Sequence, residues 1–140
     1  MTPRQVELVQ KSYRSVLLVA DSTAQLFYAR LFAVHPAMKA LFKSDPREQG
    51  RKLMYTLGAA VAHARQLHAM VPALEALAQR HVGYGVQPAH YEAVGDALLF
   101  SLSQSLDDAY TPEVAEAWSA LYAELSRIMQ QAAYGQAQPA

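Results

Sequence analysis

Apolar residues recur along most of the chain at intervals of three and four positions. Val6, Val9, Tyr13 and Val16 form the first such series, and comparable series follow through most of the sequence. This spacing places the apolar side chains on one face of an α-helix. No segment alternates apolar and polar residues for long enough to predict a β-strand. The pattern therefore predicts an all-α fold.

Capping residues and prolines divide this pattern into separate helices. A capping side chain directly precedes a proline at Thr2-Pro3, Asp45-Pro46 and Thr111-Pro112, which is typical of a helix start. The boundaries predict helices near residues 3–18, 21–34, 36–42, 46–66, 72–82, 88–106 and 112–133. They also predict one domain over residues 1–134 and a flexible tail over residues 135–140.

Composition narrows the classes of function. The chain has 140 residues, 52% of them hydrophobic and 17% charged, which is typical of a folded domain with a substantial core. Twelve basic and twelve acidic residues cancel, so we expect no nucleic-acid partner. The absence of cysteine excludes disulfides, iron–sulfur clusters and thiol nucleophiles. Because no apolar run is long enough to cross a bilayer and the N-terminus is polar, we expect a cytoplasmic protein with no membrane partner.

The five histidines are the only good nitrogen ligands for a metal. His63 and His68 are five positions apart, a spacing that does not place both on one helical face. His81 differs because it closes a predicted helix and precedes a turn containing Gly83 and Gly85. Taken alone, a histidine in this position is more often a structural residue than a metal ligand.

A series of short motifs changes that interpretation. In chain order they are Leu26-Phe-Tyr-Ala-Arg-Leu-Phe32, His35-Pro36, Ala40-Leu-Phe42, Gln49-Gly-Arg-Lys-Leu53, Ala78-Gln-Arg-His-Val82 and His90-Tyr91. From about Val6 to Ile128, their order and spacing resemble those of bacterial globins, including single-domain bacterial haemoglobins and the haem domain of flavohaemoglobins. No single motif is specific for the globin family, but the whole series in this order is. The resemblance implies a globin fold, with six to seven helices around a buried haem b.

The resemblance also implies which residues hold the haem. His81 matches the histidine that binds iron through one ring nitrogen, while the other nitrogen donates a hydrogen bond that fixes the tautomer. The Leu77 carbonyl and the Tyr91 phenol are the expected partners of that second nitrogen. Phe42 matches the aromatic residue that packs against the haem ring. The other expected contacts are Leu53, Tyr84, Val86, Val94 and, for the haem propionates, Lys52 in preference to Arg51.

On the opposite side of the haem, Tyr28 and Gln49 match a polar pair that faces the bound gas, with Leu53 lining the same pocket. A tyrosine on a buried helix face more often belongs to the core. Here it follows Phe27 in the Phe-Tyr pair of the family, which favours the role at the gas. Gln49 and Leu53 are one helical turn apart, so both can line one pocket.

These roles imply a haem protein that binds oxygen reversibly at a pentacoordinate ferrous iron. The alternative is a nitric oxide dioxygenase supported by a separate reductase. Flavohaemoglobins carry a glutamate late in the last helix that completes a network with the histidine and tyrosine. The matching position lies near Ala133, and no acidic residue follows Glu124, which puts fast dioxygenase chemistry in doubt. A haem-free helical interaction domain is a third possibility, and a gas sensor is also conceivable.

Overall fold

The computed structural model describes residues 1–43 and 45–135. Over these residues the chain is helical and contains no β-strand, which confirms the all-α prediction. The six α-helices are α1 (Pro3–Leu17), α2 (Ala20–Val34), α3 (Pro46–Ala62), α4 (Val71–Gly83), α5 (Pro88–Leu106) and α6 (Pro112–Tyr134). Three 3₁₀ helices span Pro36–Leu41, Ala64–Met70 and Asp107–Ala109. The predicted flexible tail lies outside the described residues except for Gly135.

Among the described residues, no single helix is long and apolar enough to cross a membrane. Only α1 and α2 taken together reach the required length and hydropathy, and they are bent by 100° at the break between them.

The helix starts follow from capping side chains. The Thr2 hydroxyl accepts a hydrogen bond of 3.1 Å from the backbone N–H of Gln5, whose side chain accepts one from the Thr2 N–H in return. The Asp45 carboxylate accepts from the backbone N–H of Glu48 at 3.3 Å, and Thr111 caps α6 in the same way. Each such cap stabilises a helix by about 0.5–2 kcal/mol. The predicted starts of α1, α3 and α6 therefore have a local physical cause.

Two of the predicted helices differ from the structure. The segment near 36–42 is the 3₁₀ helix Pro36–Leu41, and the helix near 46–66 ends at Ala62. Non-helical backbone angles at Gln66 (φ −139°, ψ 56°) interrupt the chain that follows. The apolar pattern did not predict this break because the buried Ala64 and Leu67 keep the three-residue spacing of an α-helix.

The core joins the first helix to the last. Trp118 on α6 is 1% exposed, and its indole N–H donates to the Ser12 hydroxyl on α1 at 2.9 Å. The Trp118 ring lies 6.3 Å from the ring of Tyr13, centroid to centroid. A buried aromatic side chain with a satisfied polar atom of this kind is among the largest apolar contributions to a core. The remaining helices pack around it, with α2 most extensively against α5 and α4 against α6.

A close helix crossing positions two of the predicted site residues. A β-carbon placed on Gly50 of α3 would lie only 3.1 Å from the β-carbon of Ala24 on α2, so small residues allow the two helices to approach closely. Tyr28 follows Ala24 by one helical turn, and Gln49 is adjacent to Gly50. Since both residues flank this contact, the crossing fixes the relative positions of the helices that carry them.

Candidate functional site

The predicted site residues fall into a distal and a proximal group, and the two groups come into contact where the segment around Leu41 approaches the turn after α4. The distal group lies on α2, at Phe42 directly after the Pro36–Leu41 helix, and on α3, and the proximal group lies on α4, the turn after it and α5. A β-carbon placed on Gly85, in the turn after α4, would lie 3.5 Å from Cδ2 of Leu41. Leu41 is adjacent to Phe42 and Gly85 is adjacent to Val86. The structure thus brings the ends of the two groups into contact at this point.

His81 lies in the last turn of α4 and is half-buried. Its Nδ1 is 2.9 Å from the Leu77 carbonyl oxygen, one turn earlier on the same helix. Burial lowers the pKa of His81, the Leu77 carbonyl opposes this shift, and the charge of Arg80 adds to it. The imidazole is therefore held neutral. With Nδ1 donating to the carbonyl, Nε2 carries the lone pair that a metal ligand requires.

The turn after His81 ends α4 in a well-defined way. The Val86 N–H donates to the His81 carbonyl and the Gly85 N–H donates to the Val82 carbonyl, each at 3.0 Å. Gly85 has φ +92°, in the left-handed region that favours glycine. These two bonds and this conformation form a Schellman motif. The motif fixes the backbone of His81 at the helix end.

Other proximal residues surround this turn. Tyr84 is 62% exposed, and its ring lies 6.4 Å from the His81 ring. Val86 and Val94 are half-buried and pack against the core. Tyr91 is buried on α5. Of these four, Tyr84 is therefore the most open to solvent.

The expected hydrogen bond between Tyr91 and His81 is not made. The Tyr91 hydroxyl is buried and has no hydrogen-bond partner among residues 1–43 and 45–135. The physical reason is that Nδ1 of His81 has a single N–H to donate, and the Leu77 carbonyl is already within bonding distance. Burial, together with nearby Tyr134, raises the pKa of Tyr91 to about 12. The phenol therefore keeps its proton.

Tyr28 lies in a cluster of four aromatic rings. Its ring centroid is 4.9 Å from that of Phe27, 5.9 Å from that of Phe32 and 5.4 Å from that of Phe42. Edge-to-face and offset arrangements at these distances are favourable. The structure thus brings together Tyr28 and Phe42, which were predicted for different roles.

The Tyr28 hydroxyl makes no hydrogen bond to any other described residue. Burial raises the pKa of Tyr28 to about 12, so the hydroxyl keeps its proton. Because the side chain is only half-buried, this hydroxyl is available to donate a hydrogen bond. A donor held in this state by aromatic packing is suited to bond with a ligand.

The distal residues of α3 differ in exposure. Gln49 is half-buried, and its side-chain amide has no partner within the described ranges. Leu53 is half-buried against the core. Lys52 has a side chain that is 69% exposed, with Nζ 3.7 Å from a Glu48 carboxylate oxygen. Arg51 is also exposed, so the structure gives both cations the accessibility that contact with haem propionates requires.

These features fit a flat apolar group that carries a metal. Several apolar site residues pack on the core with one side only and leave apolar surface uncovered, namely Phe42, Leu53, Leu77, Val86 and Val94. His81 offers one neutral nitrogen ligand. No group of three or more His, Cys, Asp or Glu side chains in the described part of the chain is placed to hold a metal ion directly. A single imidazole beside an apolar surface is suited to a metal that a macrocycle already holds, as in haem.

Fold and site together are those of an all-helical protein with a single neutral histidine beside apolar side chains. Residues 25–129 match the globin family, and the chain belongs to that family. The predicted globin fold is thereby confirmed, and membership of the family implies a haem cofactor.

The most similar curated relatives found include flavohemoproteins. The flavohemoprotein of Vibrio cholerae is 30% identical over 131 residues, which are 91% of this chain and 33% of that protein. The flavohemoprotein of Deinococcus radiodurans is 32% identical over 132 residues, which are 92% of this chain and 33% of that protein. The chain thus spans about a third of the length of these relatives.

Among the solved structures that share the fold are two of low sequence identity. One is an engineered carbene transferase from Rhodothermus marinus, provisionally assigned as a nitric oxide dioxygenase, with a TM-score of 0.88 and 22% identity over 98% of this chain and 96% of that one. The other is a hexacoordinated haem protein from an anhydrobiotic tardigrade, with a TM-score of 0.84 and 20% identity over 95% of each chain. At these identities the likeness shows the fold.

Sequence reasoning missed two contributors to the site. The contact between Ala24 and Gly50 had a weak signal, because Gly50 interrupts a helical motif where alanine would otherwise be favoured. Tyr134 gave no signal in the sequence. Its hydroxyl donates to the Val86 carbonyl at 2.6 Å. It stands at the end of α6, far in sequence from the turn that it contacts.

Proposed function

We propose that this globin binds dioxygen reversibly, with His81 as the iron ligand and with Tyr28 and Gln49 donating hydrogen bonds to the bound gas. A bound haem would supply reversible coordination of diatomic gases, and dioxygen would gain partial negative charge there while carbon monoxide would gain little. The Tyr28 hydroxyl and the Gln49 amide are donors that can bond selectively to that charge.

One observation carries this proposal. The Tyr28 side chain is half-buried, and its hydroxyl keeps its proton and has no hydrogen bond to any other described residue. Phe27, Phe32 and Phe42 surround its ring, so the side chain has little freedom to find a partner elsewhere. A donor held in place before the ligand arrives requires little reorganisation when it binds.

The remaining site residues have supporting roles in the proposal. Neutral His81 binds the iron of a haem b through Nε2 and is oriented by the Leu77 carbonyl. Lys52 contacts a propionate. Apolar and aromatic side chains enclose the ring, namely Phe42, Leu53, Leu77, Tyr84, Val86, Tyr91 and Val94.

The alternative function is nitric oxide dioxygenation supported by a separate reductase. The relationship to flavohemoproteins favours it. The proximal side argues against nitric oxide dioxygenation, because His81 Nδ1 contacts a neutral carbonyl and Ala133 supplies no carboxylate. Consumption of nitric oxide by the oxygenated protein over many turnovers, with an electron donor present, would favour the enzyme.

The sharpest test replaces Tyr28 with Phe and measures the dissociation of both gases by stopped flow. A hydrogen bond to a charged acceptor is worth about 1.5–3 kcal/mol, which corresponds to about 10- to 150-fold in an equilibrium constant. Such a loss appears mainly in the dissociation rate. We expect oxygen to leave Tyr28→Phe at least several-fold faster, with carbon monoxide much less affected. Gln49→Leu should act in the same direction but more weakly.

Tyr55→Phe is the matched control, because Tyr55 lies on α3 and is 81% exposed. It should leave both rates unchanged. Equal acceleration of both gases in Tyr28→Phe would show that the hydroxyl acts through packing or entry. Unchanged rates would place Tyr28 outside the gas pocket and refute the proposal.

A further inference from the structure

We propose that Tyr134 is a positioning residue for His81, acting through the turn that ends α4. The inference rests on the proposed ligation of haem by His81 and adds a residue from the last turn of α6. Tyr134 would hold the backbone beneath the imidazole without touching the imidazole itself.

Two hydrogen bonds in series connect Tyr134 to His81. The Tyr134 hydroxyl donates to the Val86 carbonyl at 2.6 Å. The Val86 N–H donates to the His81 carbonyl at 3.0 Å. Val86 therefore accepts from α6 on one side and donates to the last turn of α4 on the other. A displacement of the Val86 peptide would move or release the carbonyl of His81.

Apart from its own backbone hydrogen bonds, the turn is held by Val86, which packs against the core, and by the approach of Gly85 to Leu41. From Val82 to Gln87 every residue except Val86 is exposed, including Tyr84. Gly85 in its left-handed conformation has no side chain to pack, and glycine has more alternative backbone conformations than other residues. An exposed turn of this kind belongs to the least stable part of a fold unless it is fastened from outside. The hydrogen bond from Tyr134 on α6 to the Val86 carbonyl stabilises the turn in this way.

The end of α6 is itself well placed for this task. Two residues before His81 on α4, the Gln79 side chain donates to the Ala132 carbonyl at 3.1 Å. The last two turns of α6 are thus bonded both to the body of α4 and to the turn that follows it. The ring of His81 is fixed relative to its own helix by the Leu77 carbonyl, and the helix end is fixed relative to α6 by Tyr134.

The test compares two tyrosines that each donate to a backbone carbonyl. Tyr134→Phe removes the bond to Val86, and Tyr13→Phe removes a bond of 3.0 Å to the Met54 carbonyl on α3. The haem-loaded ferrous variants are examined for the iron–histidine stretching band by resonance Raman and for haem transfer to an acceptor globin. Loss of one neutral hydrogen bond corresponds to about 2- to 10-fold in an equilibrium.

We expect Tyr134→Phe to broaden or shift the iron–histidine band and to release haem about 2- to 10-fold faster, within the range for one hydrogen bond. Tyr13→Phe should lower the unfolding free energy while leaving the band in place. An unchanged band and haem loss in Tyr134→Phe, or equal changes in both variants, would overturn the inference.

His81→Gly separates this inference from the proposed function. If that variant loses the band and recovers it with added imidazole, His81 is the ligand and the result for Tyr134→Phe stands alone. If His81→Gly retains the band, another residue binds the iron, and both the ligation and the inference are wrong.

Discussion

The two residues proposed to face the gas on the distal side and the histidine proposed to bind the iron on the proximal side are held in different ways. On the distal side, Tyr28 and Gln49 have polar groups with no hydrogen bond to other described residues, and aromatic packing positions Tyr28. On the proximal side, both the ring nitrogen and the carbonyl of His81 are hydrogen-bonded, and Val86 links that carbonyl to Tyr134.

The difference matches the tasks that we propose for each side. A metal ligand works best in one fixed orientation, which hydrogen bonds to neighbouring groups provide. Groups that bind a gas must keep their donors available until the gas arrives. Substitutions can disrupt the contacts of one side without changing the residues of the other, so the comparison can be tested.

The largest effect is expected from His81→Ala on the proximal side. The substitution removes the one proposed bond between the protein and the iron and leaves only the apolar contacts and the proposed contact of Lys52 with a propionate to hold the haem. Most of the haem should be lost during purification, as measured by the ratio of Soret to protein absorbance. His68→Ala, at an exposed histidine, is the control and should retain full haem content. Equal haem content in the two variants would show that His81 is not the ligand.

A smaller effect is expected from Gly50→Ala, which disturbs the helix crossing behind the distal side. The added β-carbon would lie 3.1 Å from Ala24 Cβ, so α2 and α3 must move apart. Overpacking of this kind costs about 1–3 kcal/mol, and removal of a helical glycine offsets up to about 1 kcal/mol of it. Chemical denaturation should show a net loss of unfolding free energy.

Gly83→Ala is the matched control for that substitution. A β-carbon on Gly83 meets nothing within 4 Å, and Gly83 also lies in a helix. It should therefore be neutral or slightly stabilising. A Gly50→Ala protein as stable as Gly83→Ala would mean that the crossing is not tightly packed.

The smallest effect is expected at alkaline pH from the burial of Tyr28. Its pKa is raised from 10.0 to about 12. Below pH 10 the phenol is neutral in both folded and unfolded chains, and its contribution to stability is fully present. Between pH 10 and about 12 the unfolded chain ionises first, so that contribution is lost as pH rises. Unfolding free energy measured from pH 9 to 12 should fall less steeply in Tyr28→Phe than in the parent protein. Parallel curves would indicate that Tyr28 is solvated.

The sequence predicted those structural features that arise from interactions between residues close together in the chain. The starts of α1, α3 and α6 were predictable because capping side chains act within three residues. The contact of His81 with Leu77 is equally local, one turn along a single helix. The end of α3 was not predictable, because the buried Ala64 and Leu67 continue its apolar spacing.

Contacts between distant segments set the other limit. The approach of Ala24 to Gly50 and the bond from Tyr134 to Val86 depend on how helices pack, which no local pattern specifies. The hydrogen bond that His81 Nδ1 was expected to donate to the Tyr91 hydroxyl is absent for a related reason. The resemblance placed both residues at the site, but only the geometry shows that the single Nδ1 proton is directed at Leu77.

The absorption spectrum of the ferrous, gas-free protein tests the central claim most directly. With His81 as the one protein ligand and Tyr28 and Gln49 available to the gas, the spectrum should be that of a five-coordinate high-spin haem with one broad visible band. Addition of oxygen should convert it to an oxygenated spectrum, and removal of oxygen should restore it. Sharp split bands of a six-coordinate low-spin haem before any gas is added would contradict the account, because a second side chain would then occupy the distal position.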